Sequence, residues 1–183
     1  MIWNIIMITN RDRKEMSVNK TMGKKVKPEK TNAMRELDSA GIEYDMSGYD
    51  YDEKDLSGRS AAIKLNVSED QVFKTLVTAG NDGEHYVFVL PSSEELDLKK
   101  AAKAAGIKRI DMIHVNEIFQ LTGYLRGGCS PIGMKKKFTT FIDENALLFD
   151  KIYISAGKRG EQIIIDPEKL ANFIGAEILP LVK

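Results

Sequence analysis

Phe73-Lys74-Thr75-Leu76-Val77-Thr78-Ala79-Gly80-Asn81-Asp82-Gly83-Glu84-His85-Tyr86-Val87-Phe88-Val89-Leu90 is the stretch that decides the fold class. Its two halves are rich in β-branched and aromatic residues, which suit a pleated, half-buried surface. Between them lies an Asp-Gly pair, which readily adopts the backbone conformation of a tight turn. The stretch therefore predicts two antiparallel strands, 73–79 and 85–90. A second hairpin is predicted in the same way, with 151–155 and 162–165 flanking Gly157-Lys158-Arg159-Gly160.

Helices surround these hairpins. Ala33, Met34, Leu37 and Ala40 fall at helical spacing before a Gly41 stop, and 42–49 reads as a strand. Residues 60–65 form a short helix candidate, and Ser68-Glu69-Asp70 a capped turn. Helices are expected over 97–105, ended by Gly106, and over 116–122, ended by Gly123. A last helix should start at Asp166-Pro167-Glu168, with an acidic cap and proline in the first turn, and stop at Gly175. Hairpins impose antiparallel pairing while helices interleave, so the class is mixed α+β without internal repeats.

A chain of 183 residues suits one domain with its own core. The net charge is zero but unevenly spread. Residues 1–30 hold eight Lys/Arg against three Asp/Glu, and the remaining residues 19 against 24. Residues 1–30 read as a basic, disordered extension with few core-forming residues, and 31–183 as the folded domain. Overall charge does not advertise nucleic-acid binding, so RNA contact requires a local basic patch. The apolar start, residues 1–8, is short and lacks the features of a signal peptide, and no stretch is long enough to span a bilayer. A single cysteine, Cys129, rules out an intramolecular disulfide and a Cys-based zinc cluster and fits a cytoplasmic protein.

The inventory for chemistry is thin. His85 and His114 stand at no metal-ligand spacing and read as structural, so neither a metal nor a cofactor is expected. Cys129 has no assignable base and reads as a small residue packed beside two glycines. What remains is the loop Gly127-Gly128-Cys129-Ser130-Pro131-Ile132-Gly133, followed by Lys135-Lys136-Lys137. Glycines let backbone N–H groups approach a ligand and stabilise an oxyanion, while a lysine run suits phosphates. Taken alone, the lysine run reads as a solvated surface, and Lys74 as the exposed face of an alternating strand.

Four stretches in order carry a resemblance. They are Asp70-Gln71-Val72-Phe73-Lys74-Thr75-Leu76, the segment Leu96-Asp97-Leu98-Lys99-Lys100-Ala101-Ala102-Lys103-Ala104-Ala105-Gly106, the loop Thr122-Gly123-Tyr124-Leu125-Arg126-Gly127-Gly128-Cys129-Ser130-Pro131-Ile132-Gly133 with Lys135-Lys136-Lys137, and the turn Ile152-Tyr153-Ile154-Ser155-Ala156-Gly157-Lys158-Arg159-Gly160. Together they resemble the YbaK/EbsC family of Cys-tRNA(Pro)/Cys-tRNA(Cys) deacylases, which is related to the editing domain of prolyl-tRNA synthetase. The resemblance covers residues 31–183 and implies a barrel-like mixed sheet flanked by helices. It also implies trans-editing of misacylated tRNA, with prolyl-tRNA synthetase as a partner. By the same match Lys74, Gly127 and Gly128 are catalytic, and Tyr49, Thr75, Ser130, Pro131 and Ser155 bind the aminoacyl group. Lys135, Lys136, Lys137, Lys158 and Arg159 are the expected tRNA contacts.

The chain departs from the family pattern at three positions. Ser57 replaces a bulky aromatic, Gln162 an Asp, and Cys129 an aliphatic residue. The chemistry implied for the family is attack by the substrate cysteine's own thiolate on its ester, giving a thiolactone. Two alternatives stand beside it: an activated water acting on another small aminoacyl-tRNA, and a tRNA- or synthetase-binding module without turnover.

Overall fold

The computed structural model describes residues 29–183, so the basic extension expected over residues 1–30 falls, except for its last two residues, outside them. The fold opens with α1 (Asn32–Ala40), where the Thr31 hydroxyl accepts from the Met34 N–H and Gly41 closes the helix at φ 68°. Next come β1 (Asp45–Gly48) and α2 (Gly58–Leu65), and then a single 3-10 turn capped by Ser68. The decisive hairpin follows as β2 (Phe73–Gly80) and β3 (His85–Pro91), paired antiparallel from Phe73 opposite Pro91 to Ala79 opposite His85.

Beyond it lie α3 (Leu98–Ala104), β4 (Ile110–Met112) and α4 (Ile118–Thr122), and then β5 (Thr139–Asp143). The second hairpin is β6 (Ile152–Ser155) with β7 (Glu161–Ile165). The chain ends with α5 (Pro167–Ile174), capped by Asp166 and stopped by Gly175, and β8 (Glu177–Leu179).

The strands form two sheets, one of three in the order β1-β7-β6 and one of five in the order β4-β2-β3-β5-β8. The mixed α+β class stands, but the strands do not close into a barrel. The larger sheet ends at β4 and β8, and among the described residues a single parallel bridge between Val72 and Tyr153 links it to the smaller one. The sequence pattern does not foresee β5 and β8, and both pair in parallel, β5 with β3 and β8 with β5. The strand expected over 42–49 is shortened to Asp45–Gly48, and the helix expected over 116–122 begins as a 3-10 turn over Val115–Glu117.

β3 explains how the layers stack, because Tyr86 through Pro91 are all buried. Val87 and Val89 pack toward α1, α5 and the three-stranded sheet, with Ile142, Ile154 and Ile163. Tyr86, Phe88 and Leu90 point the other way, where they meet Ala101 and Ala102 of α3 and Leu181. Strand alternation thus feeds two cores from one strand. Full burial of a side chain such as Phe88 contributes about 1.5–3 kcal/mol. Among the described residues no helix is long and apolar enough to cross a membrane.

Candidate active site

A cleft of about 490 Å³ opens where the two sheets meet the segments around α2 and α4. β2 contributes Lys74 and Thr75, the end of β6 Ser155, and the paired position on β7 Gln162. Tyr49 comes from the chain after β1, Ser57 and Gly58 from the start of α2, and Arg126, Gly127 and Cys129 from the glycine loop. Five of the expected site residues, Tyr49, Lys74, Thr75, Gly127 and Ser155, therefore meet along one surface.

The local sequence explains how the walls approach so closely. The Ser57 hydroxyl accepts from the Ser60 N–H at 3.1 Å, which starts α2 at the rim. Gly58 follows because a Cβ there would stand 2.0 Å from the Ser92 Oγ. The Ser92 N–H in turn donates to the Val72 carbonyl at 2.7 Å, fixing that residue to the start of β2. Gly127 has φ 82°, and its Cβ position would lie 3.0 Å from the Leu56 side chain, so a glycine there lets the loop close on the chain just before α2.

Charge in the lining is sparse and of one sign: Lys74 and Arg126 are present, and no carboxylate is. Lys74 is half-buried, and its ammonium donates to the backbone carbonyls of Ser92 and Glu94. Burial pushes its pKa below the ordinary lysine value, partly offset by Glu95, Glu69 and Glu94 outside the lining. Burial raises the Tyr49 phenol, against the effect of neighbouring Gln162, and keeps it neutral. The Cys129 thiol is pushed up to about 11 by burial, only partly opposed by a bond to Thr122, so it is protonated near neutrality. No histidine lines the cleft: His85 packs edge-on to Phe138, and the His114 N–H is capped by the Glu117 carboxylate at 2.8 Å.

The remaining expected residues lie elsewhere. The Gly128 N–H donates to the Leu125 carbonyl at 2.9 Å, so the expected pair of N–H donors narrows to Gly127. Gly128 instead lets the loop approach the 158–159 turn, since a Cβ would come within 3.1 Å of the Arg159 nitrogen. Ser130 is fully buried, with its hydroxyl accepting from the Ile132 N–H at 3.3 Å, and Pro131 faces a different groove. That groove, about 930 Å³, holds Lys135, Lys136 and Lys137 beside Arg35.

Lys135 is engaged within the fold, donating to the Phe119 carbonyl at 3.2 Å and lying 4.8 Å from the Phe119 ring centroid. Lys158 and Arg159 share a shallow depression with Tyr49, but Lys158 pairs with Glu161 at 2.8 Å and the Arg159 Nε donates to the Arg126 carbonyl at 2.9 Å. The sequence reading missed Gly58, Ser92 and Arg126 as lining residues. Arg126 lay inside the quoted glycine-loop motif, whereas Gly58 and Ser92 lay outside every motif. Ser57, Cys129 and Gln162, the three departures from the family pattern, all line this cleft.

A cleft with a half-buried lysine, a glycine-loop wall and neither carboxylate nor histidine in its lining is what the fold sets between its two sheets. The chain belongs to the aminoacyl-tRNA editing domain family, whose model matches residues 57–173. It is 44% identical over 156 residues to EbsC of Enterococcus faecalis, a proposed Cys-tRNA(Pro)/Cys-tRNA(Cys) deacylase, with 85% of this chain and 95% of EbsC covered. The same fold occurs in the hypothetical protein APE2540, with TM-score 0.77, 24% identity, and 84% of this chain and 100% of that one covered. It occurs also in a proposed trans-editing enzyme for prolyl-tRNA synthetase, with TM-score 0.74, 23% identity, and 83% and 95% covered.

Proposed function

We propose that this protein is a trans-editing deacylase that releases cysteine from mischarged tRNA(Pro), and from Cys-tRNA(Cys), using the nucleophile of its substrate. The observation that carries this reading is the cleft lining: its one thiol, on Cys129, is held protonated with a pKa of about 11, and no histidine stands in the lining to deprotonate it. The 44% identity to EbsC supports the substrate class.

In the reaction, the substrate's side-chain thiol loses its proton to solvent and the thiolate sulfur attacks its own ester carbonyl carbon. The bond from that carbon to the ribose oxygen breaks, the ribose oxygen takes a proton, and a four-membered thiolactone leaves. Intramolecular attack needs positioning more than a base, and good positioning contributes on the order of 7–11 kcal/mol in the best cases. Lys74 places the aminoacyl end or its terminal phosphate, the Gly127 N–H polarises the carbonyl, and Tyr49, Thr75 and Ser155 shape the pocket. Ser130 and Pro131 support this loop from behind.

Residues 31–183 form the editing unit, and residues 1–30 are dispensable to it. Lys135, Lys136, Lys137, Lys158 and Arg159 contact tRNA phosphates, prolyl-tRNA synthetase is the protein partner, and the cytoplasm is the site of action. Quick-quench mass spectrometry of a Cys-tRNA(Pro) reaction tests the mechanism. The thiolactone is expected to precede free cysteine. Equal cleavage of Ser-tRNA or Ala-tRNA would favour activated water instead, and absence of all turnover would leave a binding module.

A further inference from the structure

Three side-chain oxygens in the described residues are buried without a hydrogen-bond partner: Thr75 Oγ1, Ser92 Oγ and Gln162 Oε1. All three belong to residues lining the same cleft. A buried polar atom left unpaired carries a desolvation penalty, so three such atoms on one concave surface mark a place that a polar ligand completes. Gln162 is the most enclosed of them at 5% exposure, and sits on the central strand of the small sheet, opposite Ser47 on one side and Ser155 on the other.

The charges around it restrict what that ligand can be. The lining has Lys74 from β2 and Arg126 from the glycine loop as its only charged groups; Tyr49 and Cys129 are its other titratable groups, and both are neutral near pH 7. The carboxylates of Glu69, Glu94 and Glu95 act on Lys74 from outside the lining. A cationic ligand in the cleft would thus meet two like charges and no counter-ion. The unpaired Oε1 of Gln162 is a neutral acceptor that takes a hydrogen bond from an N–H donor, and the two like charges of the lining disfavour a donor that is itself charged.

We infer that Gln162, in the lining it shares with Thr75 and Ser92, forms a subsite that accepts a substrate's α-amine in its uncharged form. This rests on the deacylase reading, because the α-amine is the polar group next to the ester carbonyl. An α-amine loses its proton at about pH 7.7–8.0, so the neutral form is within reach under ordinary conditions. Gln162 is a positioning residue: it holds the amine and so fixes the rotation of the neighbouring thiol and carbonyl.

The test compares two esters on tRNA(Pro), cysteinyl and 3-mercaptopropionyl, which share the thiol and differ in the amine. The wild-type chain is expected to favour the cysteinyl ester in kcat/KM by about tenfold at about pH 8, the loss expected when a buried acceptor goes unpaired, and by less at about pH 6, where the amine is protonated. Gln162→Met is expected to bring the preference below about twofold while the 3-mercaptopropionyl ester is still turned over. Gln162→Glu, isosteric with the wild type, supplies a counter-ion for the ammonium, so its preference is expected to be larger at low pH than at high pH. A wild-type preference in Gln162→Met, or a wild-type pH trend in Gln162→Glu, overturns the assignment; if Gln162→Met fails to fold, the Gln162→Glu trend decides. Failure of the wild type to release either ester overturns the deacylase reading and this inference with it, an outcome distinct from turnover with an unchanged preference.

Discussion

The Lys74 ammonium donates to the Ser92 carbonyl at 3.2 Å, which ties the cation of β2 to the chain leaving β3 and holds it at the wall of the cleft. The bond orients the charge, and the half-buried setting makes it more effective than a surface lysine. Lys74→Ala is expected to lower single-turnover deacylation by about 100-fold or more, the scale of losing one positioned donor. The cost in stability is expected to be about 1.5 kcal/mol, the low end for bonds to a charged group, because half the side chain is solvated. Circular dichroism and thermal melts check the fold alongside the rate, and wild-type turnover would remove Lys74 from the mechanism.

The same lysine is expected to set an alkaline limit. Burial lowers its pKa from the ordinary 10.5, so the folded chain releases this proton at lower pH than the unfolded chain does. Two consequences of opposite sign follow. The contribution of Lys74 to stability increases as pH rises from its folded pKa toward 10.5, because the unfolded state binds the proton more tightly there. Activity that needs the ammonium instead falls over that window. Lys74→Arg is expected to remove this alkaline limb of kcat/KM, since an arginine keeps its charge. A limb unchanged in Lys74→Arg would assign it to another group.

Cys129 is expected to be chemically quiet. With its thiol at about 11, roughly one molecule in a thousand carries the thiolate at about pH 8, so alkylation by iodoacetamide should be far slower than for a free cysteine. Cys129→Ser is expected to deacylate Cys-tRNA(Pro) within a few-fold of wild type. A dead variant, together with a trapped protein thioester, would make Cys129 the nucleophile.

Gly58→Ala tests the close approach of α2 to the chain after β3. The new Cβ would stand 2.0 Å from the Ser92 Oγ and 2.2 Å from its Cβ, so one segment must move. The expected cost is about 1–3 kcal/mol, as for other overpacked positions, with a fall in deacylation because Ser92 also carries the Lys74 anchor. Unchanged melting and rate would mean that the rim yields without consequence.

The lysine run holds a member tied into the fold and two that the proposed function assigns to tRNA. Lys135 reaches back to the Phe119 and Gln120 carbonyls at the end of α4, so Lys135→Ala is expected to cost about 1 kcal/mol in stability. Lys136→Ala with Lys137→Ala is expected to cost at most about 0.5–1 kcal/mol, from the Lys136 ammonium 5.0 Å from the Phe138 ring centroid, and to weaken tRNA binding. The slope of log K against log salt is expected to fall by about 0.7–0.9 for each phosphate that the variant no longer neutralises. An unchanged slope would return the run to an ordinary solvated surface.

Both hairpins were legible because their information is local. An Asp-Gly turn and alternating β-formers specify β2 and β3 within one short stretch, and Asp166, Pro167 and Gly175 bracket α5 with the cap, first-turn and stop chemistry any helix requires. Lys74, Thr75, Gly127 and Ser155, which line one cleft, could be named together from sequence because they lie inside ordered motifs. The parallel partners β5 and β8 left no such mark. Thr139–Asp143 pairs with a strand about fifty residues earlier, and no turn announces a parallel neighbour.

The same reason divides the site. Sequence alone singled out a lysine and a glycine loop as candidates. Only the tertiary structure decided that Ser92 and Gly58 pack against each other at the rim and that the Gly128 N–H is already bonded. It also placed Ser57, Cys129 and Gln162 in one lining, from three separate parts of the chain. Such positions come together through packing between layers, and packing depends on partners that are far apart along the chain.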